Sequence, residues 1–146
     1  MVLVYAADAD LTAWINPVPL PANSAALLRS ASLLVHSYTM TALYGVDGTG
    51  LPSDATVLQA FKDATCAQAA TWNATGIDPT AGGIPTASLV RSKRLGSGAI
   101  DYDTSASSSA TVLQAKREAA TVLCAEAVML LHQARVIPGG VQRGRP

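Results

Sequence analysis

The side chains able to do acid–base, nucleophilic or metal chemistry are few in this chain, and their spacing does not gather them. Histidine occurs at His36 and His132, and cysteine at Cys66 and Cys124. A side-chain nucleophile needs a base within hydrogen-bond reach, and a zinc site needs three or four ligands in register. Neither cysteine has a flanking histidine, and each lies in an apolar helical stretch, where a thiol reads as a small buried hydrophobe. His36 sits in the middle of a helical pattern, and His132 sits near a helix end, where the dipole favours a cation. Asp47-Gly48-Thr49-Gly50 begins like a calcium loop but lacks the later ligands, so it reads as a turn. No Gly-x-Ser-x-Gly, His-Glu-x-x-His or phosphate-loop pattern occurs. These residues predict no catalytic centre, no cofactor and no metal site.

A small basic cluster, Arg91, Lys93 and Arg94, lies in the run Val90-Arg91-Ser92-Lys93-Arg94-Leu95-Gly96-Ser97-Gly98-Ala99-Ile100-Asp101-Tyr102-Asp103. Gly96-Ser97-Gly98 supplies the positive φ angles of a tight reversal, which predicts a β-hairpin at about 88–103. Strand alternation would put Arg91 and Lys93 on one face and Arg94 on the other. A lone two-stranded ribbon is marginal in water and leaves unpaired edges. Set in a helical chain, it points to contact with something else, and the simplest candidate is another copy. Edge protection by cations, and local pairing with Asp101 and Asp103, are the plainer roles for the same charges.

The chain has 146 residues and no net charge, enough length for one domain with its own core. Zero net charge argues against a dedicated nucleic-acid binder. The charges are nonetheless divided. Residues 1–90 carry six acids (Asp8, Asp10, Asp47, Asp54, Asp63, Asp78) against Arg29 and Lys62, a net of −4; residues 91–146 carry the opposite, +4. Opposite halves suit head-to-tail contacts between identical copies. Much of the apolar content is alanine and only 5% of residues are aromatic, which predicts a thin core supported by neighbouring subunits. No secretion signal and no run of membrane-spanning length is found, so the expectation is a soluble protein of a reducing cytoplasm that touches no membrane.

The elements expected to carry these residues are mainly helical. Asp8 caps a first helix reaching Trp14-Ile15, and Pro17, Pro19 and Pro21 spell an extended linker. Asn23 caps a second helix with the stripe Leu27, Ala31, Leu34, Tyr38 and Ala42. Ser53 or Asp54 starts a third, with Leu58, Phe61, Thr65, Ala69 and Trp72 on one face and Gly76 as its C-cap. From about Thr111 to Arg135 the stripe is Val112, Ala115, Ala119, Val122, Glu126, Leu130 and Ala134, widened by Leu123, Ala127 and Leu131. That stretch reads as a long C-terminal helix, with a break near Cys124 left open. The fold expected is therefore a helical bundle with one inserted β-hairpin and a long C-terminal helix. Residues 1–135 form one domain, and 136–146 form a flexible tail.

This order of elements resembles the head-to-tail adaptor (head completion, or connector) proteins of long-tailed bacteriophages, especially those of actinobacterial hosts. The likeness is carried by Tyr5-Ala6-Ala7-Asp8-Ala9-Asp10-Leu11, by Ala25-Ala26-Leu27-Leu28-Arg29-Ser30-Ala31-Ser32 and by Asp63-Ala64-Thr65-Cys66-Ala67-Gln68-Ala69 with Trp72. Gly76-Ile77-Asp78-Pro79, Ser92-Lys93-Arg94-Leu95-Gly96 and Tyr102-Asp103 complete it, over about residues 3–135. The resemblance implies a virion neck protein, assembled in the host cytoplasm as a ring of about twelve copies beneath the capsid portal. Its partners would be itself, the portal protein and a downstream stopper or tail protein, with double-stranded DNA passing through the channel. It also implies that Arg91, Lys93, Arg94, Leu95, Ile100 and Tyr102 are subunit-contact or lumen residues. Leu130, Leu131, Val136, Ile137, Val141, Arg143 and Arg145 become portal-docking candidates. The rival readings are another neck component, a stopper or tail terminator, and a small helical DNA-binding regulator; the scarcity of cations in the second and third helices weighs against the regulator.

Overall fold

A long helix threaded through the middle of the molecule organises the rest. The computed structural model describes residues 2–81, 92–95, 98–101 and 106–137, with side chains described over 2–80 and 111–137. Helices α1 (Asp8–Ile15), α2 (Ser24–Thr39), α3 (Ala55–Thr75), α4 (Ala106–Thr121) and α5 (Ala125–Gln133) follow one another, with a 3-10 turn at Pro79–Ala81. α3 is the central element, packed by α1, α2 and α5. Every residue from Ala64 to Ala69 is buried, so this stretch has no solvent face. Its alanines at 60, 64, 67 and 69 let neighbouring helices come close.

Two apolar clusters flank α3. In one, Phe61, Ala64 and Ala67 meet Tyr5, Val35, Leu123, Ala127, Leu131 and Val136. Tyr5 and Tyr44 both set their rings edge-on to Phe61, at centroid distances of 5.0 and 5.3 Å. In the other, Cys66, Ala69 and Trp72 meet Ala6, Leu11, Leu27, Leu28, Ala31 and Ile77. The mainly helical character expected from the sequence is present. The inserted β-hairpin is not supported: the packed body is formed by α1, α2, α3 and α5. Ser92–Leu95 (β1) and Gly98–Asp101 (β2) lie antiparallel, and the rest of the expected hairpin lies outside the described residues.

Local chemistry explains the helix ends. Asp54 is the N-cap of α3, its carboxylate accepting from the N–H of Thr56 at 2.8 Å and of Val57 at 3.4 Å. The N-cap of α1 is Ala7 rather than Asp8; Asp10, three residues on, reaches back to the Ala7 N–H at 2.8 Å. Asn23 is at the N-cap of α2, but its side chain makes no capping bond. The buried face of α2 is Leu27, Leu28, Ala31, Ser32, Val35 and Thr39, so the expected stripe is rotated: Tyr38 is exposed and the helix stops before Ala42.

α3 and α5 end alike. Gly76 takes φ +66°, and the N–H of Ile77 returns to the Trp72 carbonyl at 3.0 Å, with both side chains in one cluster. Arg135 takes φ +59°, and the N–H groups of Arg135 and Val136 return to the carbonyls of His132 and Leu131 at 2.9 and 3.0 Å. Leu131 and Val136 pack together in the other cluster. This is the Schellman closure, a left-handed residue followed by an apolar lock. The fold therefore continues through Val136, past the domain end expected at 135. Glycine alone adopts this backbone without a Cβ penalty. Gly76→Ala should lower unfolding free energy by about 1 kcal/mol and Arg135→Gly should raise it by a similar amount, read from urea titrations.

Candidate functional site

The C-terminal stretch, expected as a long helix with a break near Cys124 left open, is two helices broken at that point. α4 stops at Thr121, Val122-Leu123-Cys124 leave the helical path, and α5 starts at Ala125 with Cys124 as its N-cap. A helix end leaves carbonyls or N–H groups without intrahelical partners. Here α3 supplies them. The Trp72 indole Nε1–H donates to the Ala119 carbonyl at 2.9 Å, and the Gln68 side-chain carbonyl accepts the Cys124 N–H at 2.7 Å. Gln68 and Trp72 are both buried and stand one helical turn apart. The break drops Leu123 into the core and turns Leu123, Ala127 and Leu131 inward.

The break also leaves α4 outside. Among its described residues, 111–121, none is buried. Leu113, Lys116, Ala119 and Ala120 are half-buried and face the body, whereas Val112 and Val122 are 52% and 50% exposed, and Ala115 is exposed with them. Of the stripe read as core, Val112, Ala115 and Val122 are therefore exposed over this half, and Ala119 packs against the body. Beside the α3–α5 contact runs an open groove of about 600 Å³, formed by the first turns of α3 and the last turn of α5. Ala55, Thr56, Ala60 and Ala134 line it with short side chains, with Asp63 and Leu130 also along it.

The titratable side chains are engaged locally. Tyr5 O–H and His36 Nδ1 are hydrogen-bonded at 3.0 Å, and the Tyr5 N–H donates to Ser32 Oγ at 3.1 Å, which pins the N-terminal segment to α2. The Asp47 carboxylate closes its own turn, accepting from Thr49 N–H and Oγ1–H at 2.8 and 2.6 Å and from Leu51 N–H at 3.1 Å. Those bonds hold its pKa below the usual carboxylate value. Cys66 is buried, and Cys124, at the break, is half-buried; both are free thiols. Among the described residues, no three Cys, His, Asp or Glu side chains cluster as metal ligands.

The residues singled out for subunit contact or docking fall into four groups. Leu131 and Val136 are core side chains, because the Schellman closure needs them there. Leu130 and Ile137 are half-buried, and Leu130 lines the groove. Lys93, Arg94, Leu95 and Ile100 are described in backbone only, Lys93 opposite Ile100, Arg94 opposite Ala99 and Leu95 opposite Gly98. Arg91, Tyr102, Val141, Arg143 and Arg145 lie outside the described residues. Sequence reasoning missed the groove and the exposed face of α4. Gln68, a polar residue at the centre of an apolar helix, was the available signal for the break.

No protein-family model, curated protein or solved structure matches the chain. Among the described residues, no helix is long and apolar enough to cross a membrane.

Two predictions follow from this geometry. Gln68→Leu leaves the Cys124 N–H unpaired and should cost about 2 kcal/mol of stability. Trp72→Phe should also destabilise, and it should loosen α4 first, seen as faster amide exchange over 111–121 than over α5. The second concerns pH. Burial pushes the Cys66 thiol from 9.0 up to about 12, aided by the Asp10 and Asp63 carboxylates and opposed by Lys62. Burial, with Tyr44 beside it, pushes the Tyr5 phenol from 10.0 up to about 12. Both groups are raised, so their stabilising effect is whole below the unfolded pKa and is lost as pH climbs toward 12. The urea midpoint should fall between about pH 8 and about pH 11, and Cys66→Ala should make that fall shallower.

Proposed function

We propose that this chain is a non-enzymatic structural protein: a ring-forming head-to-tail adaptor of a long-tailed bacteriophage virion. It would join the capsid portal to the tail and leave an axial channel for DNA. The observation that carries the reading is α4, a helix with no buried residue among 111–121 in the single chain. Short helices gain most of their stability from packing an apolar face, so this one is built for a surface that another molecule provides. The division of charge, −4 over residues 1–90 and +4 over 91–146, supports identical copies as neighbours. The resemblance in element order supplies the setting.

In this reading the helical body sets the wedge of each subunit. The segment at 88–103, with Arg91, Lys93 and Arg94, joins neighbours or lines the channel, and Leu130, Ile137 and the tail beyond contact the portal. Neutral overall charge suits a channel through which DNA must slide, because strong cationic binding would retard it.

Light-scattering mass, measured for the purified chain alone and then mixed with its portal ring, tests the reading. The expected result is a shift onto the portal in about portal stoichiometry. A chain that leaves the portal peak unchanged overturns the adaptor role, and salt-dependent binding to duplex DNA in the same preparation would favour the regulator instead. The Arg91→Glu, Lys93→Glu, Arg94→Glu triple variant should lower assembly yield while its helical circular dichroism stays unchanged; undiminished yield removes the role given to the cluster.

A further inference from the structure

We propose that the α3/α5 groove is a docking surface for this chain's own segment 138–146, which in the free chain seats there in cis and covers Leu130. The groove is open, about 600 Å³, and runs between the first turns of α3 and the last turn of α5. Ala55, Thr56, Ala60 and Ala134 give it a floor of short side chains, and Leu130 adds an apolar wall. Short floor residues leave room for the side chains of an extended peptide. Asp63 is the charged residue of the lining.

The segment lies outside the described residues, and three observations select it as the occupant. The first is where it starts. Ala134, in the groove lining, precedes Ile137 by three residues, and 138–146 continue from Ile137. Extended backbone carries Val141 up to about 13 Å from Ile137 and Arg143 up to about 20 Å. The stretch of α3 along the groove, Ala55 to Asp63, rises about 12 Å, so both residues reach it. The second is local sequence: Pro138-Gly139-Gly140 favours a reversal that sends Val141-Gln142-Arg143 back along α5. The third is charge. The segment carries Arg143 and Arg145 and no acid. Asp63 accepts one bond, from Gln59 at 2.8 Å, and an ionised carboxylate has lone pairs left for an arginine. Lys62 stands in the adjoining pocket with both Asp10 and Asp63, one positive charge against two negative.

Tethering favours this occupant over a free one. A short flexible link sets an effective concentration on the order of 1 mM at the groove. A contact with a dissociation constant of about 1 mM is then about half-formed in cis, whereas a separate molecule at about 1 μM would leave the groove empty. The filled groove is closed to other partners, and a partner that takes Leu130, Arg143 or Arg145 must first displace the segment. The adaptor reading gives the same segment to the portal. The docked form precedes that contact and stands or falls without it.

The test uses the 146-residue chain with Cys66→Ala and Cys124→Ser, carrying Thr56→Cys in the groove and Val141→Cys in the segment. Equilibrated in a glutathione redox buffer, it should close an intramolecular disulfide. Asp63→Lys should lower the effective concentration of that closure by about tenfold or more with helical circular dichroism unchanged, and Arg143→Glu with Arg145→Glu, added to it, should restore the closure. In the chain without added cysteines, stopping after Pro138 should move the amide resonances of Ala55, Thr56 and Ala60 and leave those of Leu27 and Leu28 in place. Closure unaffected by Asp63→Lys, or groove amides unmoved by the truncation, overturns the docking. Disulfides formed between chains in preference to closed monomers also overturn it, since the segment then occupies the groove of a second copy. A chain that ignores the portal yet closes its disulfide keeps this docking and removes the adaptor reading alone.

Discussion

Two side chains one turn apart on α3, Gln68 and Trp72, set the plan of the C-terminal third of the molecule. A helix from Ala106 to Gln133 without interruption would keep its backbone bonds internal and present one continuous stripe. Breaking it exposes carbonyls on one side and N–H groups on the other, a cost of the order of 1–3 kcal/mol for each one buried unpaired. Gln68 and Trp72 offset that cost at the break: the amide oxygen takes the N–H of Cys124, and the indole gives its proton to Ala119. Once the break is affordable, Leu123 enters the core and α5 turns its Leu123–Ala127–Leu131 row inward. α4, before the break, is left with a half-buried edge and an open face.

Locally written features of the fold were readable in the sequence. Asp54 at the start of α3 and Gly76 at its end act through neighbours within a few residues, and both sit where cap chemistry places them. Features written at long range were not. Gln68 and Cys124 are 56 residues apart, so the break depends on a bond that no local periodicity encodes. The phase of α2 was lost for another reason. In an alanine- and serine-rich helix the faces differ little in hydropathy, and the true inner face includes Ser32 and Thr39. Their hydroxyls are satisfied inside, Ser32 Oγ by the Tyr5 N–H and Thr39 by donating to the Val35 carbonyl at 3.0 Å. A polar residue with a partner can sit in a core, and the partner is visible only in three dimensions.

The candidate site shows the same division. Leu131 and Val136 stood among the docking candidates that the resemblance implied, yet they are the two halves of a helix closure. The residue between them in left-handed conformation is Arg135, not the glycine that marks such closures, so the local signal was absent. Leu130, one residue away, does reach the groove.

The joint and the open surfaces are connected energetically. An alanine-rich core gains less from burial per residue than one of leucine and phenylalanine, since apolar stabilisation follows the area removed from water. Here the large side chains are concentrated along α3 and its immediate partners, at Phe61, Trp72, Leu11, Leu27 and Leu131. The described part of α4 contributes no buried side chain to that store. Its attachment near one end, through Ala119, therefore makes it the element most easily reoriented about Val122–Cys124 without disturbing the core. The chain is thereby divided into a well-packed body around α3 and a lightly attached α4.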